Sequence, residues 1–236
     1  MSLPSARPTA SPSGPILQLA GVSKAYRNPA ETTPVFEHID LNLVRGEITS
    51  LVGPSGCGKS TIISLIAGLM APDEGRVVFD GNDVAELSDT ERAHLRATRM
   101  GIVLQSANLV PFLTASENIS VAMRLAGAKA SPSHVAELLD MVGLGDRSDH
   151  LPRRLSGGEA QRASLAVALG NAPDLLLADE AVGQLDSATA ELVMEIFHKA
   201  CRERGLSVLL VTHSTEVASL GDRVVRLVEG HLESDP

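Results

Sequence analysis

Residues 53–61 read GPSGCGKST and satisfy the pattern G-x-x-x-x-G-K-[ST], with Gly53, Gly58, Lys59 and Ser60 on the fixed positions. In such a loop the glycines let backbone N–H groups close around a phosphate. The lysine reaches the outer phosphate oxygens, and the serine hydroxyl serves as a ligand for Mg²⁺. Pro54, Ser55, Gly56, Cys57 and Thr61 complete the same cradle. Positioning it requires a strand before and a helix after. The preceding run Ile48, Thr49, Ser50, Leu51, Val52 is β-prone, and Ile62, Ile63, Leu65, Ile66 and Leu69 follow at helical spacing. The loop therefore falls at a helix N-terminus, where free amides and the helix dipole favour an anion. A glycine turn holding an accidental lysine is the bland alternative, and the strand–turn–helix context argues against it. The loop predicts nucleoside triphosphate binding.

Three further apolar runs end in polar side chains suited to a bound triphosphate. Residues 100–104 stop at Gln105, 175–178 end in Asp179 and Glu180, and 206–211 end in Thr212 and His213. Continuous apolar runs mark strands buried on both faces, and open parallel sheets bind ligands beyond the strands' carboxyl ends. That topology gathers the phosphate loop, Gln105, Asp179, Glu180 and His213, although they lie up to 160 positions apart. Mg²⁺ prefers hard oxygen ligands, available here from Ser60, Asp179 and the Gln105 amide, directly or through water. Glu180 stands where it can orient or deprotonate an attacking water, and His213 where it can donate to γ-phosphate oxygens. Singly, an acidic pair is often a solvated turn and a strand-end histidine a packing residue. Their joint placement points to phosphoryl transfer to water.

Composition narrows the setting. The 236 residues are 44% hydrophobic and 21% charged, ordinary for a soluble globular protein, and the formal charge of −9 speaks against a general nucleic-acid surface. Cys57 and Cys201 make neither a disulfide framework nor a metal-ligand spacing. No apolar run approaches the roughly 18–20 residues of a membrane span, and the opening MSLPSARPTASPSGP lacks the apolar core of a secretion signal. A cytoplasmic location is expected, with any membrane contact made through a partner.

Residues 1–15, rich in Pro, Ser and Ala, are expected to be a disordered tail before a single domain over 16–236. Alternation in ILQLAGVSKAY and VFEHIDLNLVRGE, with Val35, Ile39, Leu41 and Leu43 inward, predicts antiparallel strands separated by a polar loop, RNPAETTP. APDEGRVVFDGNDV adds a strand, and Ser88 with Glu91 forms a helix-starting capping box. Residues 106–154 are mainly helical, clearest in ENISVAMRLAG and SHVAELLDMVGLGD; LSGGE then opens another helix. Residues 188–204 read as an amphipathic helix, and RVVRLVEGHLES as a strand pair turning at Glu229 and Gly230. The expected architecture is a phosphate-loop core with a mostly parallel sheet, an N-terminal antiparallel β subdomain and a helical insert. The insert spans 105–164, between 16–104 and 165–236.

The order GPSGCGKST, Gln105, LSGGEAQR, LLLADE, Asp186 and His213 resembles the nucleotide-binding subunit of ABC transporters, over about residues 16–233. The resemblance implies an ATPase that dimerises head to tail and sandwiches two Mg-ATP. Ser156, Gly157 and Gly158 of one copy would then bind the γ-phosphate held by the other copy's loop. Tyr26 matches the aromatic that stacks on adenine, and Asp186 a residue linking the two sites, with helix capping as its plainer role. RMGIVLQSANLVPFLTASENI and DRSDHLPRRLSGG resemble the lipoprotein-release, macrolide-export and cell-division type, which implies a separate membrane permease. Departures are Ala181, Val182 and Gln184 after Glu180, Val167 in place of Arg, and Glu159 in place of Gln. The permease contact is expected in the 105–125 region, where Val110, Phe112, Leu113, Ile119 and Met123 are apolar. A mechanical signalling ATPase acting on cell-wall enzymes, or a soluble scaffold ATPase, are the alternatives within this resemblance.

Cys57 lies inside the phosphate loop, so alkylating it is expected to block nucleotide binding. Unchanged ATP affinity after complete labelling would refute this.

Overall fold

The structure, a computed structural model, describes residues 14–27, 31–182 and 186–234. Residues 1–13 of the tail expected over 1–15, the loop positions 28–30, and Gly183, Gln184 and Leu185 lie outside the described residues. In chain order the first elements are β1 (Leu17–Arg27), β2 (Thr32–Leu43), β3 (Ile48–Val52) and α1 (Lys59–Ile66). There follow β4 (Glu74–Phe79), β5 (Asn82–Asp83), α2 (Asp89–Arg99), β6 (Met100–Val103), α3 (Ala115–Leu125) and α4 (Pro132–Met141). The chain ends with α5 (Gly157–Leu169), β7 (Leu175–Asp179), α6 (Ser187–Arg204), β8 (Ser207–Thr212), α7 (Thr215–Ala218), β9 (Arg223–Val228) and β10 (His231–Ser234).

The core sheet has the order β10-β9-β3-β8-β7-β6, parallel throughout except for the antiparallel edge strand β10. Every residue of β3, β7 and β8 is buried, as their apolar runs require. Successive side chains divide between two cores. Leu176, Ala178, Val208 and Leu210 face one with α3, α4, α5 and α6; Leu175, Leu177, Leu209 and Val211 face the other with α1 and the antiparallel sheet. Helix α5 lies directly on β6, because a Cβ at Gly101 would come within 2.6 Å of the Ala168 carbonyl oxygen. That helix runs unbroken through residues 164 and 165, so the helical insert passes into the core along one rod.

The second sheet, β2-β1-β4-β5, is antiparallel. Strand β2 begins at Thr32, inside the stretch expected to be loop, and Pro34 is tolerated because β2 is an edge strand. Simple alternation also misplaced one side chain. Phe36 is buried and Val35 only half-buried, because the ladder shifts between the pairs Val22–Ile39 and Lys24–Phe36, with His38 at φ 49°. The extra residue reverses the facing of Phe36 relative to the alternation set by Ile39, and a second shift follows between Lys24 and Ala25. Three helices open with complete capping boxes, Ser88 with Glu91, Thr114 with Glu117 and Ser156 with Glu159. Each box satisfies amides that the helix start leaves free.

A charge network ties the two sheets together. Asp80 accepts from Arg45, and its other oxygen lies 2.8 Å from Arg99 Nη2. Arg99 Nε donates to Asp174 at 2.5 Å, and its guanidinium stacks 5.0 Å from the Phe79 ring centre. Burial pushes the Asp80 carboxyl up, but the hydrogen bonds from Arg99 and Arg45 outweigh it and hold it below its ordinary range. A carboxylate depressed on folding contributes stability above its unfolded pKa of about 4, and that contribution is lost as pH falls through the folded value. Asp80→Asn is expected to lower unfolding free energy by about 1–3 kcal/mol at pH 7. In urea titrations the gap to the parent protein should shrink as the pH drops below about 4.

Candidate nucleotide site

The phosphate loop leaves β3 at Val52 and enters α1 at Lys59. Gly58 caps that helix at φ 106°, and a Cβ there would sit 2.5 Å from Val35 Cγ1, so no other residue fits. No side chain caps the helix, which leaves its first amides for a ligand. Lys59 is buried, and its Nζ donates to the carbonyls of Gly53 at 2.8 Å and Pro54 at 2.9 Å. The loop and its lysine are thus held together before any phosphate arrives.

A cleft of about 540 Å³ opens over the loop. Ser55, Gly56, Gly58, Lys59, Ser60 and Thr61 line one side of it, and Gln105, Asp179, Glu180 and His213 the other. The four strand-end groups therefore do converge. Tyr26 completes the rim with Thr33, Pro34 and Val35. The Tyr26 ring is half exposed while its hydroxyl lies 3.1 Å from Thr61 Oγ1, which holds the ring face open at the mouth. Cys57 does not line this cleft but an adjoining cavity of about 320 Å³ beside Phe36, Gly230 and His231, with its Sγ 3.9 Å from Lys59 Nζ. A label on it would act by displacing the loop rather than by filling the cleft.

Asp179 closes β7 and accepts a hydrogen bond from Ser60. Burial pushes its carboxyl up; Ser60 and the Lys59 charge pull it down, the neighbouring Glu180 adds to the rise, and the balance stays up. A buried carboxylate beside a hydroxyl suits a small hard cation, which would supply the missing positive charge. Among the described residues no group of three His, Cys, Asp or Glu side chains could hold a metal by itself. An ion here would need phosphate and water oxygens as well, which is the habit of Mg²⁺.

Glu180 adopts a left-handed backbone at φ 52°, a conformation costing a non-glycine residue about 1–3 kcal/mol. Its N–H donates to the Val211 carbonyl at 2.9 Å, and its carboxylate lies 2.9 Å from His213 Nδ1. Those two contacts hold it there, turned into the cleft. Gln105 is exposed just beyond β6. The carbonyl of Leu104 before it accepts from Gln161 Nε2 at 3.0 Å. Sequence reasoning passed over Gln161, although a buried amide on an apolar helix face was its available signal. It also passed over Thr33 and Pro34, which reach the rim because the strand starts earlier than expected.

The signature residues are not in this cleft. Ser156 caps α5, its Oγ accepting from Glu159 N at 3.2 Å, while Glu159 accepts from Ser156 N at 2.8 Å. Ser156 and Gly157 are exposed and Gly158 half-buried. Glu159 also receives Arg147 Nε at 3.1 Å, and the Ser156 amide, then Arg147, keep its carboxyl below the usual range. The expected departure at this position is thus absorbed locally. Asp186 caps α6 through Thr189 N at 3.1 Å and Thr189 Oγ1 at 2.7 Å. Ala181 and Val182 are buried in the helical-side core and Val167 packs against it, and none of the three lines the cleft.

A family model described as ABC transporter matches residues 36–183, more than half the chain. The chain is 41% identical to the lipoprotein-releasing system ATP-binding protein LolD 2 of Caulobacter vibrioides, covering 94% of this chain and 98% of that one. It is 40% identical to the macrolide export ATP-binding/permease protein MacB of Azoarcus sp. over 97% of this chain, spanning 36% of that protein's length. A solved ATP-binding cassette, dimeric in a post-hydrolysis state with ADP and Pi, superposes with TM-score 0.87 at 36% identity, covering 92% of this chain and 98% of that one. Phosphate loop, strand-end groups and signature all fall within these matches, and the chain belongs to the ABC transporter family as one of its ATP-hydrolysing cassettes.

Proposed function

We propose that this chain is the motor subunit of an export or lipoprotein-handling transporter, pairing head to tail with a second copy beneath a separate membrane permease. The observation that carries this reading is the division of the site. Lys59, Ser60, Asp179 and Glu180 share one cleft, while Ser156, Gly157 and Gly158 stand outside it at an outward-facing helix start. A second phosphate nest with no partner in its own chain is explained by another copy's cleft. The relatives named LolD and MacB, and the dimeric cassette, support the same assignment.

In this reading the amides of residues 53–58 cradle the phosphates, Lys59 reaches the outer ones, and the Tyr26 ring stacks on the base. Ser60, Asp179 and Gln105 hold Mg²⁺, which neutralises phosphate charge. Glu180 orients the attacking water and takes its proton, and His213 donates to the γ-phosphate oxygens. Asp186 reaches toward the second site while capping its own helix. ATP closes the dimer and hydrolysis opens it.

The permease contact is the segment around Phe112. Asn118, buried, accepts from Val110 N at 2.7 Å and donates to the Leu113 carbonyl at 3.0 Å, bracing that turn. Phe112 is left 77% exposed, whereas Ile119 and Met123 are fully buried and serve the insert's own core. No described helix is long and apolar enough to cross a membrane; in this reading the permease provides the attachment at the cytoplasmic face.

Glu180→Gln should trap ATP and a stable dimer, read by size-exclusion chromatography, and abolish phosphate release. Lys59→Ala should lose ATP binding itself, by about tenfold or more. A Glu180→Gln protein that hydrolyses ATP at the parent rate would sink the reading. Cysteines placed at 109–113 should crosslink to a co-purified permease; if no position along the segment does, the contact lies elsewhere.

A further inference from the structure

The signature helix touches the cleft of its own chain at one point. Gln161 lies on α5, five residues after Ser156, and is buried. Its Nε2 donates to the carbonyl of Leu104 at 3.0 Å, across 57 positions of sequence. That carbonyl belongs to the same rigid peptide plane as the N–H of Gln105. It also lies past the last ladder pair of β6, Val103 with Ala178, so the sheet no longer holds it. The segment's other described side-chain tether, Asn108 to the Ile102 carbonyl at 3.2 Å, closes the following loop and leaves the Leu104–Gln105 peptide free to turn. Gln161 is buried although Leu104 is exposed, so losing the bond leaves a mostly buried amide without its protein partner.

We propose that Gln161 is a positioning residue for hydrolysis: it fixes the Leu104–Gln105 peptide, and through it aims the Gln105 side chain at the metal side of the cleft. This rests on the proposed role of Gln105. The same rod carries Ser156 at its start, so a shift of α5 when the signature meets a partner's nucleotide moves Gln161, and with it Gln105. One helix thereby reports the state of the partner's site to its own. The mechanism needs no long chain of contacts, since Ser156 and Gln161 lie about one and a half turns apart on one rigid helix. Gln161→Leu keeps the volume and removes the donor; Gln161→Asn keeps an amide but is one methylene shorter.

The experiment is a double-mutant cycle on the full-length protein, with Gln161→Leu, Gln105→Ala and the pair. Melting temperature, ATP affinity, kcat and the Mg²⁺ concentration for half-maximal rate are measured for each. Gln161→Leu should lower kcat about tenfold and raise the Mg²⁺ requirement, as a lost outer support does, with ATP affinity and melting temperature near the parent values. In the Gln105→Ala background it should do nothing further to kcat, because it acts through Gln105. Additive losses, or a normal kcat in Gln161→Leu, would overturn the proposal while leaving the site as described. A normal kcat and Mg²⁺ requirement in Gln105→Ala would overturn both. A Gln161→Leu protein that melts far below the parent shifts the reading to Gln161→Asn. That variant supports the proposal only if its Mg²⁺ requirement moves with its kcat, and counts against it otherwise.

Discussion

In the core sheet Val52 pairs with Thr212, Val211 with Asp179 and Ala178 with Val103. These parallel registers stop four strands in nearly one row, and the next residues of each chain segment spill into the same space. Gly53, His213, Glu180 and Leu104 are those next residues, and Gln105 follows the last. A slip of one residue in any ladder would turn that strand's side chains to the opposite core, so the register is held by apolar burial on both faces. The geometry of the cleft is a by-product of that burial. Most of the polar groups begin where the strands end; Asp179, the last residue of β7, is buried with it, and its carboxyl is pushed up.

Local strain is placed on this frame rather than spread through it. Glu180 holds a left-handed backbone only because Val211 and His213 grip it from the next strand. Gly58 holds one because Val35 leaves no room for a side chain. Lys59, folded onto the carbonyls of its own loop, keeps a cation buried with partners in place. On the opposite side Arg45, Asp80, Arg99 and Asp174 fasten the antiparallel sheet to the core, so the rim carrying Tyr26 keeps its station over the loop.

Helix α5 has a double allegiance. Its start, at Ser156 and Gly157, is exposed and lies outside the cleft, and its later turns are packed on β6 so closely that Gly101 can carry no side chain. An element anchored at one end and open at the other is suited to linking two sites. The acidic Glu159 within its first turn is engaged by the Ser156 amide and by Arg147.

Much of this was legible in the residues alone. Short-range patterns identify the phosphate loop, the buried strands, the capping box at Ser88 and Glu91 and the turn at Glu229 and Gly230, because each depends on neighbours within a few positions. The convergence of Gln105, Asp179, Glu180 and His213 was also readable, since parallel α/β topology dictates where strand ends meet. Other features were decided by the tertiary structure. The shift at His38 that put Phe36 in the core and Val35 on the cleft depends on pairing with β1. Which cavity Cys57 lines depends on its packed neighbours, and the bond from Gln161 to Leu104 on how α5 lies across β6. Periodicity determines which face of an element is buried, but only the packed neighbours determine which atoms a side chain meets.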